Sequence, residues 1–373
     1  MPPTLEEVAK LAGVSRSTVS RVVNQHPNVR PEVRERVWEV IRQTGYQPHA
    51  AARSLATRRT RVIGLIIPQA VTTLFTDPYF PILIRGIADA CNAHNYHLML
   101  SLFSHRRVQE SRAHQDLLYQ QVLRGRYLDG VVVSSAPLDD PIFLRLLEDG
   151  VPFVLVGRYP HERASYVDVD NVVGARMAVE HLLRLGHERV ATITGPLNMF
   201  AAQDRLEGYR QALNGRGLTV DDAFIAEGDF TEQGGWVAMQ RLLPQKPTAV
   251  FAASDIMAIG AIRAIREAGL RVPDDIAVVG FDDIPLASII DPPLTTVRQP
   301  IEQMGAMAVE LLISLIQDGS GEAVHRVVLP TELVIRTSCG VHYGRREYRD
   351  GCVDSPVPAV RASLKENAWG VAV

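Results

Sequence analysis

The sequence predicts a small all-α head followed by an α/β body built on two parallel sheets. Three observations predict it. Helical patterns closed by Gly13 and Gly45 fill the first 48 residues. From residue 62, β-branched runs alternate with helical patterns, the mark of parallel strands covered on both faces. The length, 373 residues, leaves room for two or three substantial cores. With 46% hydrophobic residues and a net charge of only −3, the bulk of the chain is not of disordered composition. No apolar run approaches the ~20 residues that cross a bilayer. The start, MPPTLEEVAK, has no apolar stretch behind basic residues, so no secretory leader is expected. Cys91, Cys339 and Cys352 are odd in number and far apart, which fits a reducing cytoplasm.

Charge divides the chain. Residues 1–61 hold 11 of the 39 Lys+Arg and 5 of the 42 Asp+Glu, a net of +6, leaving −9 on the rest. A basic head on an acidic body suits a polyanion at the head, or a merely solvated basic surface.

In the head, Thr4 and Glu7 have capping-box spacing, and Leu5, Val8, Ala9 and Ala12 follow as one apolar stripe. Gly13 ends that helix, and Ser15 is placed to cap a second one reaching about Asn24. On the second helix Val19, Val22 and Val23 share one arc. Arg16, Ser17, Ser20 and Arg21 share the other. A third helix starts at Pro31, buries Val33, Val37, Val40 and Ile41, and ends at Gly45. Two short helices around a glycine turn, the second with a polar N-terminal face, form a helix-turn-helix pattern. The alternative is an ordinary small bundle. A DNA major groove admits one such helix, and arginine and serine there reach base edges.

Between Pro48 and Arg61 lies HAAARSLATRRTR. Ala50 to Ala56 favours helix, but seven residues are too few to be stable alone. Beyond it, strands are expected at 61–67, 96–102, 129–135, 152–156, 189–195, 248–254 and 276–281. Helices are expected at 79–95, 108–125, 172–185, 203–215, 232–243 and 256–269, with LTTVRQP and a long helix from Ile301 returning the chain to the first half.

In open parallel sheets ligands sit at the carboxyl ends of strands. Arg158, Asp255 and Asp282 follow predicted strands, and Arg205 opens a helix after a Gly-Pro loop. Asp accepts from vicinal hydroxyls and Arg donates a planar fork, so these groups suit a hydroxyl-rich ligand. Tyr79, Phe80 and Phe230 offer stacking faces. Salt bridges and core aromatics are the alternatives, and Asp255 equally suits a cap on the helix after it. His161-Glu162 and His187-Glu188 lack the second histidine of a zinc-protease motif. Nucleophile-elbow, Walker A and dinucleotide fingerprints are missing, so neither an enzyme nor a cofactor is expected.

The strings TLEEVAKLAGVS, TVSRVVN, GYQPHAAARSLA and IGLIIP resemble, nearly position by position, the DNA-binding head of the lactose-repressor (LacI/GalR) family. DPYFPILIRGI, VEHLLRLGH, DRLEGYRQAL, SDIMAIGAIRAIREAGLRVPDDIAVVGFDD and PPLTTVRQP resemble its periplasmic-binding-protein-like core, up to LVIRTSCG at 333–340. The resemblance covers about nine tenths of the chain. It implies a helix-turn-helix head at 1–48 and a hinge helix and linker at 49–61. It implies a core at 62–340 split into subdomains 62–160 plus 297–322 and 161–296 plus 323–340. Residues 341–373, with prolines and no heptads, read as a partly disordered extension.

The resemblance further implies a homodimeric cytoplasmic repressor on a near-palindromic double-stranded DNA operator. Its DNA contacts would come from Thr4, Ser15, Arg16, Ser17, Thr18, Ser20, Arg21 and Asn24. In the hinge they would come from Arg53, Leu55 and Ala56, with Leu55 as the wedge in the minor groove. A small saccharide effector would lie between the subdomains, held by Arg205 and Asp282 with Phe230 and Ser254 beside them. Gly157 stands where some sugar-binding members have an acid, and Ala201 where some have a hydroxyl, so no relative's effector carries over. A nucleobase or phosphoprotein co-regulator is the alternative within the class. A sugar-handling enzyme or solute-binding protein is the alternative outside it.

Overall fold

The computed structural model describes residues 3–23, 26–46, 59–68, 71–102, 127–134, 137, 138, 140, 142–318 and 324–341. The expected helix at 108–125, most of the hinge and the extension from 342 onward lie outside them.

The head has the three expected helices, α1 (Leu5–Ala12), α2 (Arg16–Val23) and α3 (Pro31–Thr44). Thr4 and Glu7 form the reciprocal capping box, and Gly13 and Gly45 take the left-handed conformation after α1 and α3. Val8, Val19, Val22 and Val37 are fully buried in a core of the head's own.

The body opens with β1 (Val62–Ile67), α4 (Val71–Thr76), α5 (Tyr79–Ala93), β2 (His97–Leu102) and β3 (Gly130–Ser134). It continues with α6 (Ile142–Glu148), β4 (Phe153–Val156), β5 (Tyr166–Val169), α7 (Asn171–Arg184) and β6 (Val190–Thr194). Then come α8 (Phe200–Gly215), β7 (Ile225–Glu227), α9 (Glu232–Leu242), β8 (Ala249–Ala252) and α10 (Asp255–Glu267). The last are β9 (Ala277–Asp282), α11 (Pro285–Ile289), β10 (Thr295–Arg298), α12 (Ile301–Asp318), β11 (Arg326–Leu329) and β12 (Glu332–Val334). The strands form two six-stranded sheets, ordered β2-β1-β3-β4-β5-β11 and β7-β6-β8-β9-β10-β12. All pairs are parallel except β10 with β12. Each sheet thus repeats one doubly wound order, and each carries its own apolar core.

The subdomain boundaries need correction. The expected break at 160/161 comes too early, because β5 pairs with β4 and stays in the first sheet. The break at 296/297 cuts through β10, whose four residues all belong to the second sheet. β11, assigned by sequence to the second subdomain, pairs with β5 in the first. The chain therefore crosses between sheets after Val169, after Arg298 and after Leu329. Hydrogen-bonded pairing decides membership, and short strands such as YVDV do not announce their partner.

Close helix packing rests on small residues. A Cβ on Gly86 of α5 would run into the carbonyl oxygen of Glu302 on α12, whereas a Cβ on Gly215, at the end of α8, meets nothing within 4 Å. Gly86→Ala is expected to destabilise by ~1–3 kcal/mol, as overpacking does. Gly215→Ala should be neutral or stabilising by a few tenths of a kcal/mol. Thermal denaturation of the two variants checks the opposite signs.

Candidate functional site

The described polar groups that meet between the sheets emerge almost entirely at carboxyl ends of parallel strands. They line two adjoining lobes that share Tyr79, Met199, Ala201, Arg205 and Gln299. The space within the lobes is about 640 and 720 Å³, open solvent at their mouths included. The smaller lobe holds Asp77, Phe80, Asp229, Phe230, Ser254 and Asp282. The larger holds Ile142, Phe143, Arg158, Tyr159, Asp168 and Phe200 among others.

A buried polar chain forms the floor. Asn171 donates through Nδ2 to Asp168 at 3.1 Å, and its Oδ1 accepts from Arg205 Nε at 2.8 Å. Arg205 also donates to the Ala253 carbonyl, lies 3.6 Å from Asp282 Oδ1 and stacks 3.7 Å over the Phe281 ring. Asp282 accepts from Gln299 Nε2. Asn171 and Gln299 sit on two of the three crossovers between the sheets. The sequence reading gives Arg205 and Asp282 to a ligand and not to the fold; the structure makes them part of the fold as well, buried side chains of one polar chain on the lining of the cleft.

Burial shifts these acids. It raises Asp77 and Asp168 each to about 6, and it holds Asp282 above the ordinary range even beside Arg205. Unfolded carboxyls titrate near ~3.9. These carboxyls thus bind more protons in the folded state between pH ~4 and 6 and their contribution to stability falls as pH rises through that window, outweighing the single buried His181, lowered to about 4, which acts the other way. The thermal midpoint of the ligand-free protein is therefore expected to rise on acidification from pH 8 to about 5.5. The rise should be smaller in Asp168→Asn, and a melting series against pH checks it.

Each expected site residue has a definite place. Tyr79 lines both lobes, and Phe80 is buried edge-on against it, with ring centroids 5.4 Å apart. Phe230 holds a left-handed φ of 60° and packs its ring over Gly195, where any Cβ would collide. Ser254 lines the smaller lobe and caps α10 by accepting from the Met257 amide. Asp255 is a correction. It is fully buried, lines neither lobe, and accepts from Thr296 Oγ1 and the Ile284 amide. Nor does it cap α10: it is the first helical residue, and its carboxyl is spent tying α10 to the segments on either side of α11. Arg158 lines the larger lobe and pairs with Asp204 across the cleft, 5.4 Å over the Phe200 ring. Beside it the Leu138 amide donates to the Asn198 carbonyl at 2.8 Å, a second contact between the two rims.

In the head, Arg16, Ser17 and Arg21 are exposed and Thr18 and Ser20 half-buried on α2, while Thr4 is occupied as the cap of α1. Ser15 Oγ accepts from the Thr18 amide at 3.1 Å, which caps α2. Arg16 pairs with Glu6 at 2.9 Å, both side chains well exposed. Asn24, Arg53, Leu55 and Ala56 lie outside the described residues.

Residues 4–49 match the family described as bacterial regulatory proteins, lacI family, and residues 179–339 match the periplasmic binding protein-like domain. The transcriptional regulator CelR of Thermobifida fusca is 42% identical over 345 residues, 90% of this chain and 98% of that protein. The ribose operon repressor of Escherichia coli K12 is 38% identical over 334 residues, 88% and 94% of the two chains. The solved CelR–cellobiose complex aligns with TM-score 0.70 at 41% identity, covering 90% of this chain and 99% of that one. The lac repressor dimer on operator with an anti-inducer aligns at 0.76 and 31%, covering 91% and 99%.

The chain belongs to the lacI family of bacterial regulators. It is a DNA-binding transcriptional regulator and not an enzyme. Among the described residues no group of His, Cys, Asp and Glu is arranged to hold a metal, and no helix is long and apolar enough to cross a membrane. Sequence reasoning missed Asp77, Asp168, Asn171, Asp229 and Gln299. Asp229 and Gln299 follow β7 and β10, so the strand-end rule reaches them once those short strands are recognised. Neutral amides such as Asn171 carry no sequence signal of their own.

Proposed function

We propose that this regulator is a homodimeric repressor whose grip on a near-palindromic operator is controlled by a small saccharide bound between the core subdomains. One observation carries the reading: the buried chain Asp168–Asn171–Arg205–Asp282–Gln299 combines hydroxyl-binding groups with two of the crossovers. A ligand that engages Arg205 and Asp282 therefore acts directly on the angle between the subdomains.

The path from cleft to DNA starts at α12. It begins beside Gln299 and Met304 at the lobes and runs about 27 Å at ~1.5 Å per residue. Near its far end the Ile316 carbonyl accepts from Arg59, at 3.4 Å. Asp129 holds the same linker, accepting from the Thr60 amide at 2.6 Å and the Arg61 amide at 3.0 Å. Arg61 itself lies 5.1 Å over the Tyr96 ring, turned to the core rather than free for phosphate. Motion of the first subdomain thus reaches the hinge, where Leu55 is the expected minor-groove wedge and Arg53 and Ala56 are expected DNA contacts beside it. CelR bound to cellobiose and the name of the ribose operon repressor favour a sugar. A bacterial regulator of this kind works in the cytoplasm, where the chromosome is.

Adding the effector is expected to change operator affinity by about 5–150-fold, a coupling of ~1–3 kcal/mol. The test titrates the full chain with DNA it selects from a random library, with and without a panel of mono- and disaccharides and purine bases. A purine that shifts the affinity while no saccharide does would overturn the sugar reading.

A further inference from the structure

We infer that Asp129 is a positioning residue for operator recognition: its carboxylate fixes the direction in which the linker leaves the core, and with it the half-site separation that a dimer accepts. The inference rests on the homodimeric reading above.

The root of the linker is built at the amino edge of the first sheet, the end opposite the cleft. Arg61 immediately precedes β1, and its carbonyl accepts from the His97 amide, at the start of β2, at 2.8 Å. The Val62 carbonyl accepts from the Asp129 amide, just before β3, at 2.8 Å. The Asp129 side chain then closes back on the linker. Its Oδ1 accepts from the Thr60 amide at 2.6 Å and from Thr60 Oγ1 at 2.8 Å, and its Oδ2 accepts from the Arg61 amide at 3.0 Å. Thr60 Oγ1 in turn accepts from the Val62 amide at 3.2 Å.

Two features separate this arrangement from an ordinary turn cap. The partners stand 68 and 69 residues from Asp129 in sequence, so the contact fixes one segment against another rather than shaping its own loop. Arg61 also holds a left-handed φ of 58°. That conformation is costly for a residue with a Cβ and persists where the surroundings over-determine it. It turns the chain at the root, and a carboxylate that accepts from both successive amides holds the turn. Only an acceptor with two oxygens suits three donors so placed. An asparagine at 129 would set its own N–H groups against one of them.

The consequence for DNA is geometric. Residues 47–58 join the head to this root. Once one head of a dimer occupies its half-site, the second binds as an intramolecular event. Its effective concentration depends on how well the reach of the tether matches the gap. A fixed root concentrates the heads at one separation. A loose root spreads them over many, which lowers affinity at the best spacing and evens out the others.

Anisotropy titration of the full chain tests this. The probes are the operator that the chain selects from a random library, the same duplex with a base pair or two added or removed at its centre, and a duplex carrying a single half-site. Wild type is expected to bind the selected operator ~10²–10⁴-fold tighter than the half-site and to lose most of that margin when the spacing changes. Asp129→Asn should lose ~10-fold on the selected operator, keep wild-type affinity for the half-site and prefer the selected spacing by a narrower margin. Thr60→Ser, which keeps the hydroxyl, should match wild type. A melting curve for each variant accompanies the titrations, because a destabilised core would scale every affinity down by one factor and leave the ratios alone. An unchanged spacing profile in Asp129→Asn, or an equal loss on every duplex, overturns the inference and leaves the homodimeric reading standing. A wild type that binds one half-site as tightly as two overturns both.

Discussion

Replacing Arg205 with alanine is expected to lower the melting temperature of the ligand-free protein by roughly 6–20 °C and to abolish its response to effector. The two effects share one cause. Arg205 and Asp282 are both buried, with side chains 7% and 8% exposed. Removing one partner of a buried pair leaves an uncompensated charge and costs ~3–5 kcal/mol. At ~2–4 °C per kcal/mol for a core of this size, that gives the stated range. The same substitution strips donors from Asn171 and the Ala253 carbonyl, so the strand-end floor loosens where a ligand must rest. A double variant, Arg205→Ala with Asp282→Asn, separates fold from ligand. With no charge left stranded it should recover much of the midpoint, while effector affinity stays lost because both polar partners are gone. The measurement is a set of melting curves for wild type, both single variants and the double, each with and without the effector. A single variant that melts like wild type would show the pair to be irrelevant to stability. A double variant still stabilised by effector would move the ligand elsewhere.

How much of this was readable beforehand follows from whether a feature is local. The head is local throughout: Thr4, Glu7, Gly13, Pro31 and Gly45 each act within four residues of themselves, and all five do what their spacing implies. Long buried strands such as VIGLII and AVVGFD announce themselves by apolar runs. The three-residue strands β7 and β12 do not, and β5 carries Asp168, whose polar side chain breaks the pattern. Which sheet a strand joins depends on partners a hundred or more residues away, as with β5 and β11, and no local signal encodes it. Of the residues the strand-end rule picked, Arg158 and Asp282 lie on the lining of the cleft and Asp255 does not. There the carboxyl turns along the sheet to Thr296 and Ile284 instead of out of it, and Gly280 leaves the room it needs.

A chain beginning at residue 62 will lose specific operator binding by about three to seven orders of magnitude, ~4–10 kcal/mol, which is the usual gap between specific and non-specific complexes. The body carries a net charge of −9 and offers DNA no attraction of its own, whereas residues 1–61 carry +6 and hold the lacI-family head. Within the head the finer expectation concerns Arg16. It is exposed and paired with Glu6 in the free protein, an ion pair worth ~0–1 kcal/mol at such exposure. A base edge offering two acceptors, as guanine does, outcompetes that partner, so binding requires the pair to open. Arg16→Ala should therefore cost ~1–3 kcal/mol on the selected operator and much less on random duplex. Glu6→Gln should tighten binding to both, because it frees Arg16 and removes a negative charge from the DNA-facing side of the head. The check is a filter or anisotropy titration of each variant on both DNAs at several salt concentrations. If Arg16→Ala weakened both duplexes equally and lowered the salt slope by about one, Arg16 would be a phosphate contact, and base reading would pass to Ser17 and its neighbours on the same exposed face.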